Sequence, residues 1–194
     1  MDTVLVMIDF QQAFDNGTWG ERNNLFAEEN AKRLLAFFRE RELPIVHIQH
    51  VSPIPESQFY EGKAGCAFKA GFEPLACEVL FQKAVNSAFI GTALEAYLRK
   101  EKLETLVICG LTLPHCVSTT TRMAANLGFS AYLISDATAS FALSDVDNHL
   151  LSAELIHRVN LASLKDEFAT ILSTDEMLAH LAKKEAGQKL AAHI

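Results

Sequence analysis

Three residues of this 194-residue chain, Cys116, Asp9 and Lys83, have the types and spacing for nucleophilic chemistry. Cys116 lies within residues 107–136, VICGLTLPHCVSTTTRMAANLGFSAYLISD. The apolar run 105–109 reads as a buried strand closed by Gly110. From Cys116 onward, Val117, Thr120, Ala124 and Leu127 follow a helical period that stops at Gly128. Open parallel sheets bind ligands beyond the carboxyl ends of their strands, so a thiol on the first turn after such a strand sits at the usual place for chemistry. A helix start also favours negative charge, which predicts a thiolate that forms below the usual thiol pKa of about 8.5. A free cysteine is more often a small buried hydrophobe than a nucleophile. The assignment therefore depends on its partners. Asp9 follows the run VLVMI and Lys83 follows EVLFQ. If the strands are parallel, both side chains converge with Cys116 on one cleft. A carboxylate there accepts the thiol proton and an ammonium holds carboxylate and thiolate together, which activates a nucleophile without histidine. Taken singly, Asp9 reads as a turn cap and Lys83 as a solvated strand end.

The elements that must position these residues alternate between strand and helix. Strands are predicted at Thr3–Ile8 and at 45–49, 78–82, 105–109, 131–135 and 168–172. Helices are predicted at 25–41, 87–102, 116–127 and 147–161, and from Thr174 onward. This order predicts one α/β domain over residues 1–182, followed by a charged C-terminal tail at 183–194. Residues 51–74 carry Pro53, Pro55, Gly62, Gly65, Gly71 and Pro74, a long irregular stretch of the kind that covers a site.

The net charge of -7 and the lack of a Lys/Arg-rich run point away from nucleic acid and anionic membranes, and toward a small-molecule substrate. No stretch approaches the roughly 20 apolar residues of a membrane span. The N-terminus, MDTVLVMIDF, lacks a basic region and reads as a first strand, not as a signal peptide. Cys66, Cys77, Cys109 and Cys116 form no C-x-x-C pair, so neither a disulfide nor a zinc framework is expected and a reducing cytoplasm fits. No G-x-G-x-x-G turn follows a strand, which disfavours a dinucleotide-binding module. In 147–161, Leu150, Leu151, Leu155, Ile156 and Val159 spread over more than one helical stripe. With a mean hydropathy of +0.12, this predicts a symmetric homodimer or a higher homo-oligomer.

The motifs VMIDFQQAF with Asp9, FQKAVNSAF with Lys83, and GLTLPHCVSTTTRMA with Cys116, followed by ISDATASF around Asp136, resemble the isochorismatase-like cysteine hydrolases. This family includes nicotinamidases and N-carbamoylsarcosine amidases, and the likeness runs from Val4 to about Leu178. It implies a three-layer α/β/α fold with a six-stranded parallel sheet, doubly wound. It also implies a triad in which Cys116 attacks a carbonyl, Asp9 shuttles the proton and Lys83 stabilises the charges. A further implication is a cis peptide between Leu111 and Thr112 that helps to aim the N–H groups of Thr112 and Cys116 at a developing oxyanion.

Departures within the family narrow the expectation. Isochorismatases proper share the fold, lack the nucleophilic cysteine and cleave a vinyl ether. Cys116 therefore favours hydrolysis of an amide-type C–N bond through an acyl-enzyme. The alternatives are vinyl-ether hydrolysis, or a non-catalytic binding or redox-sensing protein on the same fold. Nicotinamidases carry an Asp-x-His and a further His after strand two to hold a metal. Here His50 and Ser52 stand at the first two places and no His follows before His115, so no metal and no cofactor are expected. His47 and His50, three apart at a strand end, are read as packing or rim residues. Phe14, Trp19, Phe89 and His115 are the candidate substrate contacts. Trp19 is favoured because Asn16, Gly17 and Thr18 place it on a loop.

Overall fold

The computed structural model of the chain describes residues 2–191. β1 (Thr3–Ile8) is buried throughout, and its side chains alternate between two cores. Val4, Val6 and Ile8 enter one, and Leu5 and Met7 the other. A strand buried on both faces has no polar side, which is why this run is apolar without a break. The chain continues through α1 (Ala27–Glu40), β2 (Ile45–His50), β3 (Val79–Lys83), α2 (Leu94–Lys100), β4 (Thr105–Leu111), α3 (Ser118–Asn126) and β5 (Ser130–Ala139). A short hairpin of β6 (Leu143–Ser144) and β7 (Leu150–Leu151) precedes α4 (Ala153–Leu164), β8 (Thr170–Leu172) and α5 (Thr174–Ala191).

Six strands form one parallel sheet in the order β3-β2-β1-β4-β5-β8. α1 and α5 cover one face through Leu34, Phe38, Met177 and Leu181. α2, α3 and α4 cover the other through Leu94, Leu98, Ala124 and Leu164. The three-layer α/β/α architecture is the one expected. The chain builds outward from β1 to β3 and then returns to lay β4 on the other side of β1. The carboxyl ends of β1 and β4 thus flank a topological switch point, where open sheets leave a crevice. Gly110 allows this junction: a Cβ there would lie 2.2 Å from the carbonyl oxygen of Ile8, so only glycine lets β4 approach β1 so closely. Beside it, the register of β4 against β5 shifts between Ile108 and Gly110, and β5 runs on to Ala139, four residues beyond the expected strand.

Three helices differ from their predicted ranges, each because a local hydrogen bond outcompetes the apolar period. The helix expected at 87–102 is α2, which starts at Leu94. Gly91 adopts a left-handed φ of 72°, and Thr92 Oγ1 accepts from the Leu94 N–H at 3.2 Å. The helix expected at 147–161 is α4, which starts at Ala153. Ser152 caps it by accepting from Leu155 N–H at 3.2 Å. Upstream, Asp145 Oδ1 takes the N–H groups of Asp147 and His149, which closes the hairpin. Leu150 and Leu151 therefore lie in β7 and not in the helix. The helix expected from Cys116 is α3, which starts at Ser118; a π-type turn (Leu113–Val117) precedes it, with the Val117 N–H reaching Thr112 O at 3.3 Å.

The charged tail begins as part of α5, held to the body by Lys184 Nζ on Asp2 Oδ1 (2.7 Å) and by Arg41 Nε on Glu185 Oε2 (3.1 Å). Residues 192–194 lie outside the described residues. Among the described residues no helix is long and apolar enough to cross a membrane.

Candidate active site

Asp9 is the first residue beyond β1 and has a left-handed φ of 52°, a conformation that short polar side chains tolerate better than most. Lys83 is the last residue of β3, paired in register with His50, the last residue of β2. Cys116 lies in the π-type turn after β4. All three elements end at the carboxyl edge of the sheet, which brings the three predicted residues together. Lys83 Nζ donates to Asp9 Oδ2 at 2.7 Å and to Cys116 Sγ at 3.3 Å. Its third contact is His50 Nδ1 at 3.2 Å. The Asp9 and Lys83 side chains are almost completely buried. Asp9 Oδ1 is buried and has no hydrogen-bond partner among the described residues. The peptide between Leu111 and Thr112 is cis.

The electrostatics differ from the expectation drawn from a helix start. Burial first, and the Asp9 carboxylate second, push the Cys116 thiol up to about 12. Burial also raises the Asp9 carboxyl, against the opposing pull of Lys83. The thiol is two residues short of α3 and largely buried, so desolvation outweighs any helix-terminus effect. At rest the site is a neutral thiol beside a Lys83–Asp9 ion pair. A raised carboxyl is a better match to a thiol proton than an ordinary one, so transfer to Asp9 is eased where a free thiolate is not.

A cavity of about 250 Å³ opens over Cys116 and Asp9. Phe14, Trp19 and Phe59 form its apolar wall, with ring centroids 5.2 Å apart for Phe14–Trp19 and for Phe14–Phe59. Trp19 Nε1 is satisfied by Ala13 O at 2.8 Å, which leaves the ring as an apolar surface. His115 also lines the cavity, its Nδ1 3.0 Å from Thr112 Oγ1. Wider depressions of about 480 and 510 Å³ elsewhere contain none of Asp9, Lys83 and Cys116.

Phe89 does not line this cavity. It is buried in the core and stacked on Phe129 at 5.9 Å, because the turns before α2 direct it under the sheet. Conversely, His50, Phe59 and Asn86 line the cavity without having been expected there. Asn86 Oδ1 lies 3.9 Å from Cys116 Sγ. His50 ends a strand at the same edge as Asp9, so the strand-end argument applied to Asp9 reaches it too. Asn86 shares the FQKAVNSAF motif with Lys83. Phe59 comes from the long irregular stretch and has no local signal. His47 and His50 point apart, as their odd spacing requires. His47 is buried with its Nε2 2.7 Å from Glu78 Oε2, a carboxylate that also takes a bidentate bond from Arg39.

Single ligand atoms of Asp9, His50 and Cys116 lie within 4.8 Å of one another, close enough to share a cation. The Lys83 ammonium already bonds all three, so the chain's own cation stands at their centre.

Residues 3–176 match the isochorismatase domain family. The chain is 51% identical to the isochorismatase family protein YrdC of Bacillus subtilis, over 90% of this chain and 93% of that protein. A solved structure of an isochorismatase-family protein from Chromobacterium violaceum superposes with a TM-score of 0.92 at 40% identity, covering 94% of this chain and 95% of that one. The streptothricin hydrolase of Streptomyces noursei is 28% identical, over 71% of this chain and 49% of that protein.

Proposed function

We propose, from the premise that the chain belongs to the isochorismatase family of hydrolases, that it hydrolyses an amide-type C–N bond in a small molecule through an acyl-enzyme on Cys116. One observation carries the reading: the buried, unpartnered Asp9 Oδ1 next to a thiol that Lys83 links to the same carboxylate. As the substrate carbonyl approaches, Asp9 takes the thiol proton and Sγ bonds to the carbonyl carbon. The N–H groups of Thr112 and Cys116 receive the developing oxyanion. Asp9 then returns the proton to the amide nitrogen, the C–N bond breaks and the amine leaves a thioester on Cys116. Water attacks the thioester as Asp9 accepts its proton, and the carboxylic acid leaves with the thiol restored. The Lys83 ammonium holds the negative charge as it moves between carboxylate and sulfur. Phe14, Trp19 and His115 contact the substrate. No step calls on a metal or an organic cofactor.

Turnover across a panel of small primary amides, ureas, cyclic amides and vinyl ethers, in excess chelator, tests this reading. Cys116-dependent release of ammonia or amine supports it. Vinyl-ether cleavage that survives loss of Cys116, or activity abolished by chelation and restored by one divalent ion, overturns it.

We further propose a homo-oligomer built on a two-fold interface. Leu155 and Val159 of α4 are 46% and 58% exposed, and Val146 and Leu150 of the adjoining hairpin are 96% and 71% exposed. Burying this apolar surface offsets the cost of holding large apolar side chains in water. Light scattering at micromolar concentration should give at least twice the 21.4 kDa chain mass. A mass equal to one chain and unchanged on dilution rejects the oligomer. The four unpaired cysteines are consistent with a cytoplasmic setting.

A further inference from the structure

We infer that His50 is a substrate-recognising residue: its neutral ring, held by Lys83 through Nδ1, presents an Nε2–H donor that selects uncharged amides with a second hydrogen-bond acceptor one or two atoms from the scissile carbonyl. The inference rests on the amide-hydrolase reading above and adds the chemical class of its substrate.

The tautomer follows from the partner. An ammonium has three donors and no acceptor, so the 3.2 Å contact between Lys83 Nζ and His50 Nδ1 requires Nδ1 to accept. A neutral imidazole that accepts at Nδ1 carries its proton on Nε2. Burial first, and Lys83 second, hold His50 below its ordinary pKa and so favour the neutral ring.

The orientation is fixed from two sides. The His50 N–H donates to Gln11 Oε1 at 2.9 Å, while Gln11 Nε2 donates back to His50 O at 2.9 Å and to Cys66 O at 2.8 Å. The ring stands edge-on to Phe59, with centroids 5.2 Å apart and planes at 73°. His50 lines the cavity, its Nε2 has no partner among the described residues, and that atom is not one of the sealed, unsatisfied polar atoms. It is therefore open to a ligand.

Reach and charge then define that ligand. A His50 ring nitrogen lies within 4.8 Å of Cys116 Sγ and the ring lines the same cavity as the sulfur, so a substrate group beside the attacked carbonyl passes along this ring. The three N–H bonds of Lys83 are committed to Asp9, Cys116 and His50, and among the described residues no Arg or Lys lines the cavity. A carboxylate on the substrate would meet the Asp9 charge with no free cation to balance it. An ether or ketone oxygen accepts from Nε2–H at no such cost, with the rest of the molecule against Phe14 and Trp19.

The test pairs 2-methoxyacetamide with butyramide, which differ by an oxygen in place of a methylene, and adds the charged oxamate. The ether should show a KM lower by about tenfold than butyramide, the value of one hydrogen bond, with oxamate the poorest of the three. Two variants separate the ring's two nitrogens. His50→Asn keeps an acceptor where Nδ1 was and loses the distal donor, so most of its loss should appear as a raised KM for the ether and little as a changed KM for butyramide. His50→Gln restores an N–H at the reach of Nε2 and should recover part of the preference. Equal KM values for the two neutral amides in the parent, or equal losses on both in each variant, would overturn the proposal and leave His50 as packing. Ring-nitrogen NMR of histidine-labelled protein supplies a readout independent of turnover. His50 should show the Nε2–H form at neutral pH, with a shift larger on adding the ether than on adding butyramide. A charged ring or an Nδ1–H form overturns the proposal. If no amide turns over while the tautomer and the ether-dependent shift are seen, the hydrolase reading fails and the assignment of His50 as the recognising donor stands.

Discussion

Cys116→Ser should fold as the parent does and lose amide hydrolysis by about 10⁴-fold or more, the scale seen when a covalent nucleophile is removed. The change keeps the volume of a side chain that faces the cavity from a turn, so no core packing is lost. A hydroxyl is a far weaker acid than a thiol, and Asp9, though raised, remains too weak a base to supply an alkoxide. Cys116→Ala should be equally inactive and equally folded. Steady-state kinetics with circular dichroism and a thermal melt decide the matter. An alanine variant with parental turnover would remove the covalent mechanism and leave acid-catalysed ether cleavage as the reading to pursue.

Asp9→Asn and Lys83→Ala should each cost about 10²- to 10⁴-fold in turnover, by different routes. Asparagine tolerates the left-handed backbone at this position, so Asp9→Asn removes the proton acceptor and leaves the chain path intact. It also removes the negative charge that helps to push the thiol up to about 12, so the thiol should ionise more readily while turnover collapses. In the parent, a thiol pKa above the working range means that the thiolate fraction keeps growing with pH. Alkylation by iodoacetamide should therefore rise about tenfold per pH unit from 6 to 9 with no plateau. In Asp9→Asn the same curve should move to lower pH. A thiol ionised below its ordinary pKa by a helix start would instead plateau within this pH range in the parent.

Lys83→Ala instead strands the Asp9 carboxylate in a dry site. Losing one member of a buried ion pair costs about 3 to 5 kcal/mol if the remaining charge persists. Asp9 avoids part of that cost by taking up a proton, and a protonated carboxyl cannot accept the thiol proton. The variant should melt lower than the parent and be nearly inactive. Either variant turning over and alkylating like the parent would reduce its residue to a strand cap.

The sheet and the edge at which chemistry collects were legible in the residue pattern alone. β1 and β4 are apolar on both faces because both faces are covered, and an unbroken run of that kind is visible in one dimension. Once the strands are parallel, residues at their carboxyl ends must meet, which placed Asp9, Lys83 and Cys116 in one cleft without any contact being known. Other features depended on distant parts of the chain and emerged only where the fold brought those parts together. Phe89 lies under the sheet and Phe59 over the cavity, although both flank glycine- or proline-containing stretches of similar composition, because the turns that carry them pack against different faces. Leu150 left the predicted helix because Asp145 and Ser152 offered local bonds that a hydrophobic period does not register. The thiol is neutral and not ionised because desolvation is set by every residue packed around Cys116, whereas the expectation of a thiolate rested on one neighbouring helix. His50 stood at the same strand edge as Asp9 and so was within reach of the sequence. Its tautomer was not, since that is fixed by the Lys83 ammonium brought across from β3, 33 residues along the chain.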